Sequence, residues 1–410
     1  MNCEILSIGT ELLLGNIANT NAQFLSKELA NIGINVYRHI AVGDNKERVI
    51  KALDESFYRA DIVITTGGLG PTKDDLTKEA IAEYFGLPLE LNIDEKNSLE
   101  NKMKGSGYKF AENNYRQAYF PKDSIILKNN YGTAPGVLIK NHKILAMLPG
   151  PPTECKGMFK DSLLPELANL SKDKFVSRFI NFLGIGESGL EEKIMPIIEN
   201  QSNPTVAPYA KGGYVSIRIT SRCKTEDEGY NLMEQTIKDL YNLAGEFIIS
   251  EEDLAPEFVV VNKLIEKKME ISIAESCTGG MLASKIINVP NASKVLNESL
   301  ITYSNEAKIK YLDVTKETLE KFGAVSNEVA MEMSLGVLKK CNCNIGVGIT
   351  GIAGPTGGSA EKPVGLVYIS VATSTGSETK KFNFKGSREN IRRRSVYSAM
   401  RMILDRLNYE

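Results

Sequence analysis

Short apolar runs that hand over to glycine-rich turns and then to helices recur along this chain, and that alternation confines it to α/β architectures. Asp61-Ile62-Val63-Ile64-Thr65 runs into Thr66-Gly67-Gly68-Leu69-Gly70 and then into a helical pattern over residues 74–85, which Gly86 ends. Glu270-Ile271-Ser272-Ile273 runs into Ala274-Glu275-Ser276-Cys277-Thr278-Gly279-Gly280 and the helical residues 281–287. Strand–helix–strand order implies right-handed crossovers and parallel strands. In a first stretch, strands at 4–8, 35–42, 61–65 and 143–148 alternate with helices at 19–31, 46–58, 74–85, near 94–104, and at 153–170. In a last stretch, helices at 256–268, 281–287, 305–311, 327–340 and 388–408 alternate with strands at 270–273, 299–303, 345–350, 364–373 and 379–384.

Between the two lies a shorter, different pattern. Residues 175–183, 215–220 and 246–249 read as strands, and 190–199 and 226–243 as helices, before the acidic linker Ser250-Glu251-Glu252-Asp253. A chain of 410 residues exceeds one ordinary core. The predicted fold class is therefore α/β, with two separate three-layer α/β/α domains, 1–171 and 253–410, joined by a small α+β module, 172–252.

Composition excludes several classes of function. The formal net charge of −2 makes no electrostatic case for nucleic acid or an anionic membrane. The 6 cysteines form no CxxC pair, and with only 2 histidines a Cys/His zinc site is not expected. Few cysteines in so long a chain fit a reducing cytoplasm. The start, Met1-Asn2-Cys3-Glu4-Ile5-Leu6, reads as a first strand rather than a signal peptide, and no apolar run is long enough to span a bilayer.

In the first domain, Gly67, Gly68 and Gly70 would turn backbone N–H groups toward an anionic ligand. Asp74 and Asp75 follow, able to hold a divalent cation or merely to favour a helix N-terminus. This loop resembles that of the molybdopterin-binding (MogA/MoaB-like) fold, with Asp75 and Thr77 on its aspartate and threonine positions and Asp44 on its second acidic position. Gly9-Thr10-Glu11-Leu12-Leu13-Leu14-Gly15 and Leu148-Pro149-Gly150-Pro151-Pro152-Thr153-Glu154 are similar to one branch, the amino-terminal domain of the competence/damage-inducible protein A (CinA) family. The resemblance implies a pyrophosphatase that cleaves ADP-ribose with a divalent metal (Co²⁺, Mn²⁺ or Mg²⁺). The candidate acidic ligands are Asp44, Asp74, Asp75 and Glu11.

The middle module carries Gly186-Glu187-Ser188-Gly189, a GxxG pattern, and resembles a KH-type fold. A nucleic-acid-binding loop of that type needs positive charge, whereas Glu187, Glu191 and Glu192 stand here. A spacer or dimerisation role is expected instead.

In the third domain, Ser276, Cys277 and Thr278 sit where a strand hands over to a helix, as nucleophile candidates or helix caps. Leu300-Ile301-Thr302-Tyr303-Ser304-Asn305-Glu306-Ala307-Lys308, Gly323-Ala324-Val325-Ser326, Thr350-Gly351-Ile352-Ala353-Gly354-Pro355 and Gly386-Ser387-Arg388 place polar groups at other element ends. In this order the segments resemble the carboxyl-terminal domain of the CinA family, a nicotinamide mononucleotide (NMN) amidohydrolase. The resemblance implies hydrolysis of the NMN carboxamide with release of ammonia, without a cofactor, and puts the nucleophile on Ser276. The domain has no histidine, so Tyr303 or Lys308 must activate the hydroxyl. The N–H groups of Cys277, Thr278, Gly279 and Gly280 are candidate oxyanion donors. Arg388 would bind phosphate, supported by Thr350, Gly351 and Gly354, with Ser304 and Ser326 also substrate-facing. Arg392-Arg393-Arg394 reads as a solvated or ion-paired face.

The leading expectation is thus a bifunctional pyridine-nucleotide salvage enzyme whose partners are NMN and ADP-ribose, with no direct nucleic acid and no membrane. Family resemblance further implies a homodimer. The competing expectations are a pterin- or nucleotide-binding or competence/DNA-repair accessory protein without amino-terminal catalysis, and a chain active only in its third domain.

Overall fold

The computed structural model describes residues 1–104, 112–170 and 174–409. The expected junction at 171/172 lies outside the described residues. The chain divides into two compact units: Met1–Val176 with Ser221–Asn231, and Ser177–Thr220 with Leu232–Glu410.

The first unit is built on a six-stranded sheet in the order Asn35–Val42, Asn2–Ile8, Ile62–Thr66, Ile144–Leu148, Gly136–Lys140, Ile125–Leu127. The first four strands are parallel. The last two are antiparallel, so the sheet is mixed rather than wholly parallel. Alternation along each buried strand feeds two cores. Ile5, Ile62, Ile64, Ala146 and Leu148 pack with Leu25, Leu29 and Phe159 on one face. Leu6, Ile8, Val63, Leu145 and Met147 pack with Val49, Leu53, Phe57 and Ile81 on the other. The helix expected from residue 74 begins only at Thr77 and runs to Phe85. Asp74 and Asp75 are held in the preceding turn, where the Asp75 carboxylate accepts the Thr72 N–H at 2.9 Å. The expected closing helix is interrupted: Pro152–Met158 passes through one wide turn, Phe159–Leu163, into Leu164–Ala168, where Pro165 brings no N–H to the ladder.

The second unit carries two sheets. The smaller has the order Thr205–Ala210, Val215–Cys223, Lys174–Phe182, Ile248–Ser250, with helices Glu187–Asn200 and Glu226–Ala244. Its edge strand Thr205–Ala210 was not expected because Pro208 interrupts the pattern, and an edge is where proline is tolerated. The larger sheet has the order Leu296–Ile301, Ile271–Glu275, Ile345–Gly351, Leu366–Thr373, Gly376–Asn383. Its first three strands are parallel and its last two antiparallel.

The two faces of that larger sheet differ in kind. Ile271, Ile273, Ile345, Val347, Ile349, Val367, Ile369 and Val371 bury against helices Pro256–Lys267, Met281–Ile287 and Arg388–Tyr409. The opposite face presents Ser272, Gly346, Gly348 and Ser370 to helix Asn327–Lys340. A Cβ at Gly346 or Gly348 would collide with the carbonyl oxygens of Ser334 and Ala330. The Ser334 and Ser370 hydroxyls meet at 2.8 Å. The helix therefore lies against strand backbone, closer than branched side chains would permit. Gly348→Ala should cost the second unit about 1–3 kcal/mol through overpacking. Chemical denaturation measures this, and an unchanged midpoint would show that the helix can retreat at no cost.

Candidate functional site

The three parallel strands of the second unit end along one edge of their sheet, and the central one delivers Ser276. Ser276 donates its N–H to the Ile349 carbonyl at 3.0 Å, and the Thr302 N–H reaches the Glu275 carbonyl at 2.9 Å. Backbone pairing thus carries past the strand ends and holds the Ser276 and Thr302 turns side by side. Helix Asn305–Leu312, capped by Ser304 through the Ala307 N–H at 3.1 Å, returns Lys308 under them.

Lys308 is 1% exposed. Its Nζ donates to the Thr302 carbonyl at 2.8 Å and the Tyr303 carbonyl at 3.1 Å, and lies 3.1 Å from Ser276 Oγ. No carboxylate forms an ion pair with it among the described residues. Burial holds its amine below the ordinary lysine value of 10.5. A neutral amine has two N–H groups and one lone pair. The two carbonyls take the N–H groups, and the lone pair is left facing the Ser276 hydroxyl. The arrangement can accept the serine proton. Tyr303 enters through its carbonyl, while its ring is 64% exposed.

Cys277, the intrinsically better nucleophile, points into the apolar core, and burial pushes its thiol up to about 12. The helix Met281–Ile287 is capped by neither Ser276 nor Thr278. The buried Glu275 carboxylate accepts the Leu282 N–H at 3.2 Å and the Ala283 N–H at 3.0 Å. Gly279 donates its N–H to the Ser276 carbonyl at 3.1 Å. The N–H groups of Cys277, Thr278 and Gly280 take no backbone acceptor among the described residues and remain as the expected oxyanion donors.

Several residues expected at the substrate serve as braces here. Ser326 caps helix Asn327–Lys340 through the Val329 N–H at 3.3 Å and donates to the Gly323 carbonyl at 3.0 Å. The Thr350 hydroxyl donates to the Ala324 carbonyl at 2.7 Å. Gly351 packs against Val367 and the Leu366 carbonyl. Arg388 is exposed and donates to the Gly354 carbonyl at 2.7 Å. Arg392, expected on a solvated face, instead donates to the Thr278 carbonyl at 2.6 Å, and its Nε is buried without a partner among the described residues. Its place one helical turn after Arg388 was the available signal.

The loop of the first unit is organised by backbone. Gly67 and Gly68 have φ of 100° and 67°. A Cβ on them would collide with the Ile8 carbonyl and the Thr77 hydroxyl. Thr77 closes the loop, its hydroxyl donating to the Gly67 carbonyl at 2.9 Å and its N–H to the Gly68 carbonyl at 3.2 Å. Gly70 lies against the Asp75 carboxylate. Asp44 accepts the Thr10 N–H at 2.9 Å and the Thr10 hydroxyl at 2.8 Å, and Asp75 is held by Thr72. Asp74 is exposed, and the Thr72 hydroxyl holds its carboxyl below the ordinary value. Glu11 is exposed in the short helix Thr10–Leu13. Among the described residues no three acidic, histidine or cysteine side chains converge on a point that could hold a metal.

Comparison with known proteins matches three stretches of the chain. Residues 254–407 match the CinA C-terminal domain, residues 4–169 the family described as "probable molybdopterin binding domain", and residues 177–250 the damage-inducible protein CinA KH domain. A competence-damage inducible protein of Clostridioides difficile (strain 630) is 49% identical over 418 residues, spanning 99% of this chain and 100% of the relative. A CinA-like protein of Kosmotoga olearia is 49% identical over 401 residues, spanning 98% and 97%. A solved structure of a competence/damage inducible protein from Agrobacterium tumefaciens is 37% identical, covering 38% of this chain and 97% of that one with a TM-score of 0.36. The chain belongs to the CinA family of competence-damage inducible proteins.

Proposed function

We propose that the second unit hydrolyses the carboxamide of NMN to a carboxylate, and that the first cleaves the diphosphate of ADP-ribose. The observation that carries the first part is the buried Lys308 amine 3.1 Å from Ser276 Oγ. Lys308 takes the hydroxyl proton as Ser276 Oγ bonds to the amide carbon. The N–H groups of Thr278 and Gly280 receive the developing oxyanion. Collapse breaks the C–N bond, and Lys308 returns the proton to the departing ammonia. Water, deprotonated by the same amine, then attacks the ester and releases the acid and Ser276. Arg388 and Arg392, one turn apart on helix Arg388–Tyr409, supply the cations for the substrate phosphate.

Ser276→Ala should abolish ammonia release from NMN and leave ADP-ribose cleavage intact. Cys277→Ala should retain ammonia release, and loss of activity in that variant alone would move the nucleophile to the thiol. Lys308→Met should lower kcat by about 10²–10⁴, the usual worth of a general base. Because only the neutral amine accepts the proton, kcat/KM should rise with pH along one limb. Its midpoint should lie below the ordinary lysine value of 10.5. A flat profile would exclude Lys308 as the base.

For the first unit, the glycine loop offers backbone donors to a diphosphate. Asp44 and Asp75 are the carboxylates that would hold a divalent ion together with the substrate's own phosphate oxygens, the ion supplying charge neutralisation. The separate anchoring of Asp44 on Thr10 and Asp75 on Thr72 favours a second reading, a nucleotide- or pterin-binding module without catalysis. ADP-ribose turnover with Mg²⁺, Mn²⁺ or Co²⁺ that stops on chelation is expected on the first reading. No turnover with any of the three supports the second.

A further inference from the structure

The second unit contains a cavity of about 660 Å³ that the proposed amide chemistry does not use. One wall is aromatic. Phe382 and Phe384 stack with their planes 10° apart at 5.4 Å, and the buried Tyr397 ring fills the space beside Gly213. Two cations border this wall. The Arg394 guanidinium lies 5.2 Å from the Phe384 ring centre. Arg393 donates to Asn390 Oδ1 at 2.7 Å, and its Nε is buried without an acceptor. Neither forms an ion pair among the described residues. Arg401 on the same helix is by contrast fully engaged, by Asp405 at 2.7 Å and by the carbonyls of Leu183 and Glu246.

The facing wall is the turn Gly184-Ile185-Gly186, which opens helix Glu187–Asn200. Gly186 stands at the cap with no side chain, and the space where its Cβ would lie is open. The N–H groups of the first turn therefore have no side-chain acceptor. Glu187 lies on this wall too and confines an anion to the arginine side. The volume suits a small organic ligand. Aromatic faces beside two guanidinium groups without carboxylate partners match a planar ring joined to a phosphate.

We infer that this cavity binds a nucleoside phosphate, with its base laid on the Phe382–Phe384 wall and its phosphate on Arg393 and Arg394. The site is separate from the Ser276 turn, although one helix serves both: Arg392 reaches the turn at the Thr278 carbonyl, and Arg393, Arg394, Tyr397 and Arg401 line the cavity.

Photolabelling of the full chain with 8-azido-AMP, followed by peptide mapping, tests the proposal. Label is expected in residues 376–402. In the Arg393→Gln/Arg394→Gln double variant, with its melting temperature checked, that label should fall by about tenfold or more, as expected for loss of a charge-assisted hydrogen bond. Unlabelled AMP should compete and inorganic phosphate should compete far less well. Label confined to residues 61–85 and 270–308, no label at millimolar nucleotide, label unchanged in the double variant, or phosphate competing as well as AMP would each overturn it.

Discussion

The second unit depends on the burial of one amine. Lys308 gives up nearly all its water, and the protein returns two carbonyls and a hydroxyl but, among the described residues, no paired carboxylate. An ammonium in that setting is poorly compensated, so burial draws the amine below the ordinary lysine value. The same burial acts in the opposite sense on Cys277, where it raises the thiol and keeps it from forming thiolate. Two buried groups beside Ser276 therefore diverge: desolvation raises the Cys277 thiol and lowers the Lys308 amine.

Holding that amine requires the strand ends to meet, and the remainder of the domain supplies the rigidity. Gly346 and Gly348 let helix Asn327–Lys340 seat on bare strand backbone. The start of that helix, through Ser326, Gly323 and Ala324, is tied to Thr350 at the end of the neighbouring strand. On the other side Glu275 ties the central strand to helix Met281–Ile287 by accepting its first N–H groups. Ser276 thus stands between two braced elements, which fix its hydroxyl relative to the Lys308 amine.

What could be read from the sequence follows from what periodicity and composition encode. The buried runs at Ile62–Thr66 and Ile345–Gly351 and the long helices were legible because an apolar repeat reports directly on burial. Ile125–Leu127 is too short to show a period, and Pro208 masks the strand that contains it. Ser276 was legible together with two possible activators, Tyr303 and Lys308, since the domain has no histidine. Whether Tyr303 or Lys308 lies at the hydroxyl was not legible, because it depends on where the chain turns after Ile301. Strand Leu296–Ile301 begins and ends earlier than the pattern indicated, and its exit aims the carbonyls of Thr302 and Tyr303 at Nζ. The role of Glu275 rests on tertiary approach alone, for which charge patterning carries no signal, whereas Arg392 had only its helical spacing from Arg388 to mark it.

The two units solve the problem of polar groups at a sheet edge in opposite ways. In the second, the Ser276 hydroxyl and the Lys308 amine are already in contact, and Arg388 and Arg392 are committed to backbone carbonyls. In the first, each carboxylate is satisfied locally, Asp44 by Thr10 and Asp75 by Thr72, while Thr77 closes the glycine loop on itself. A ligand there must compete with hydrogen bonds that already exist, each worth about 0.5–1.5 kcal/mol net. A charged diphosphate, with several acceptor oxygens and its own cation, can displace them, whereas a neutral ligand gains too little to do so. Side-chain contact within one unit and separate local anchoring in the other follow from this contrast.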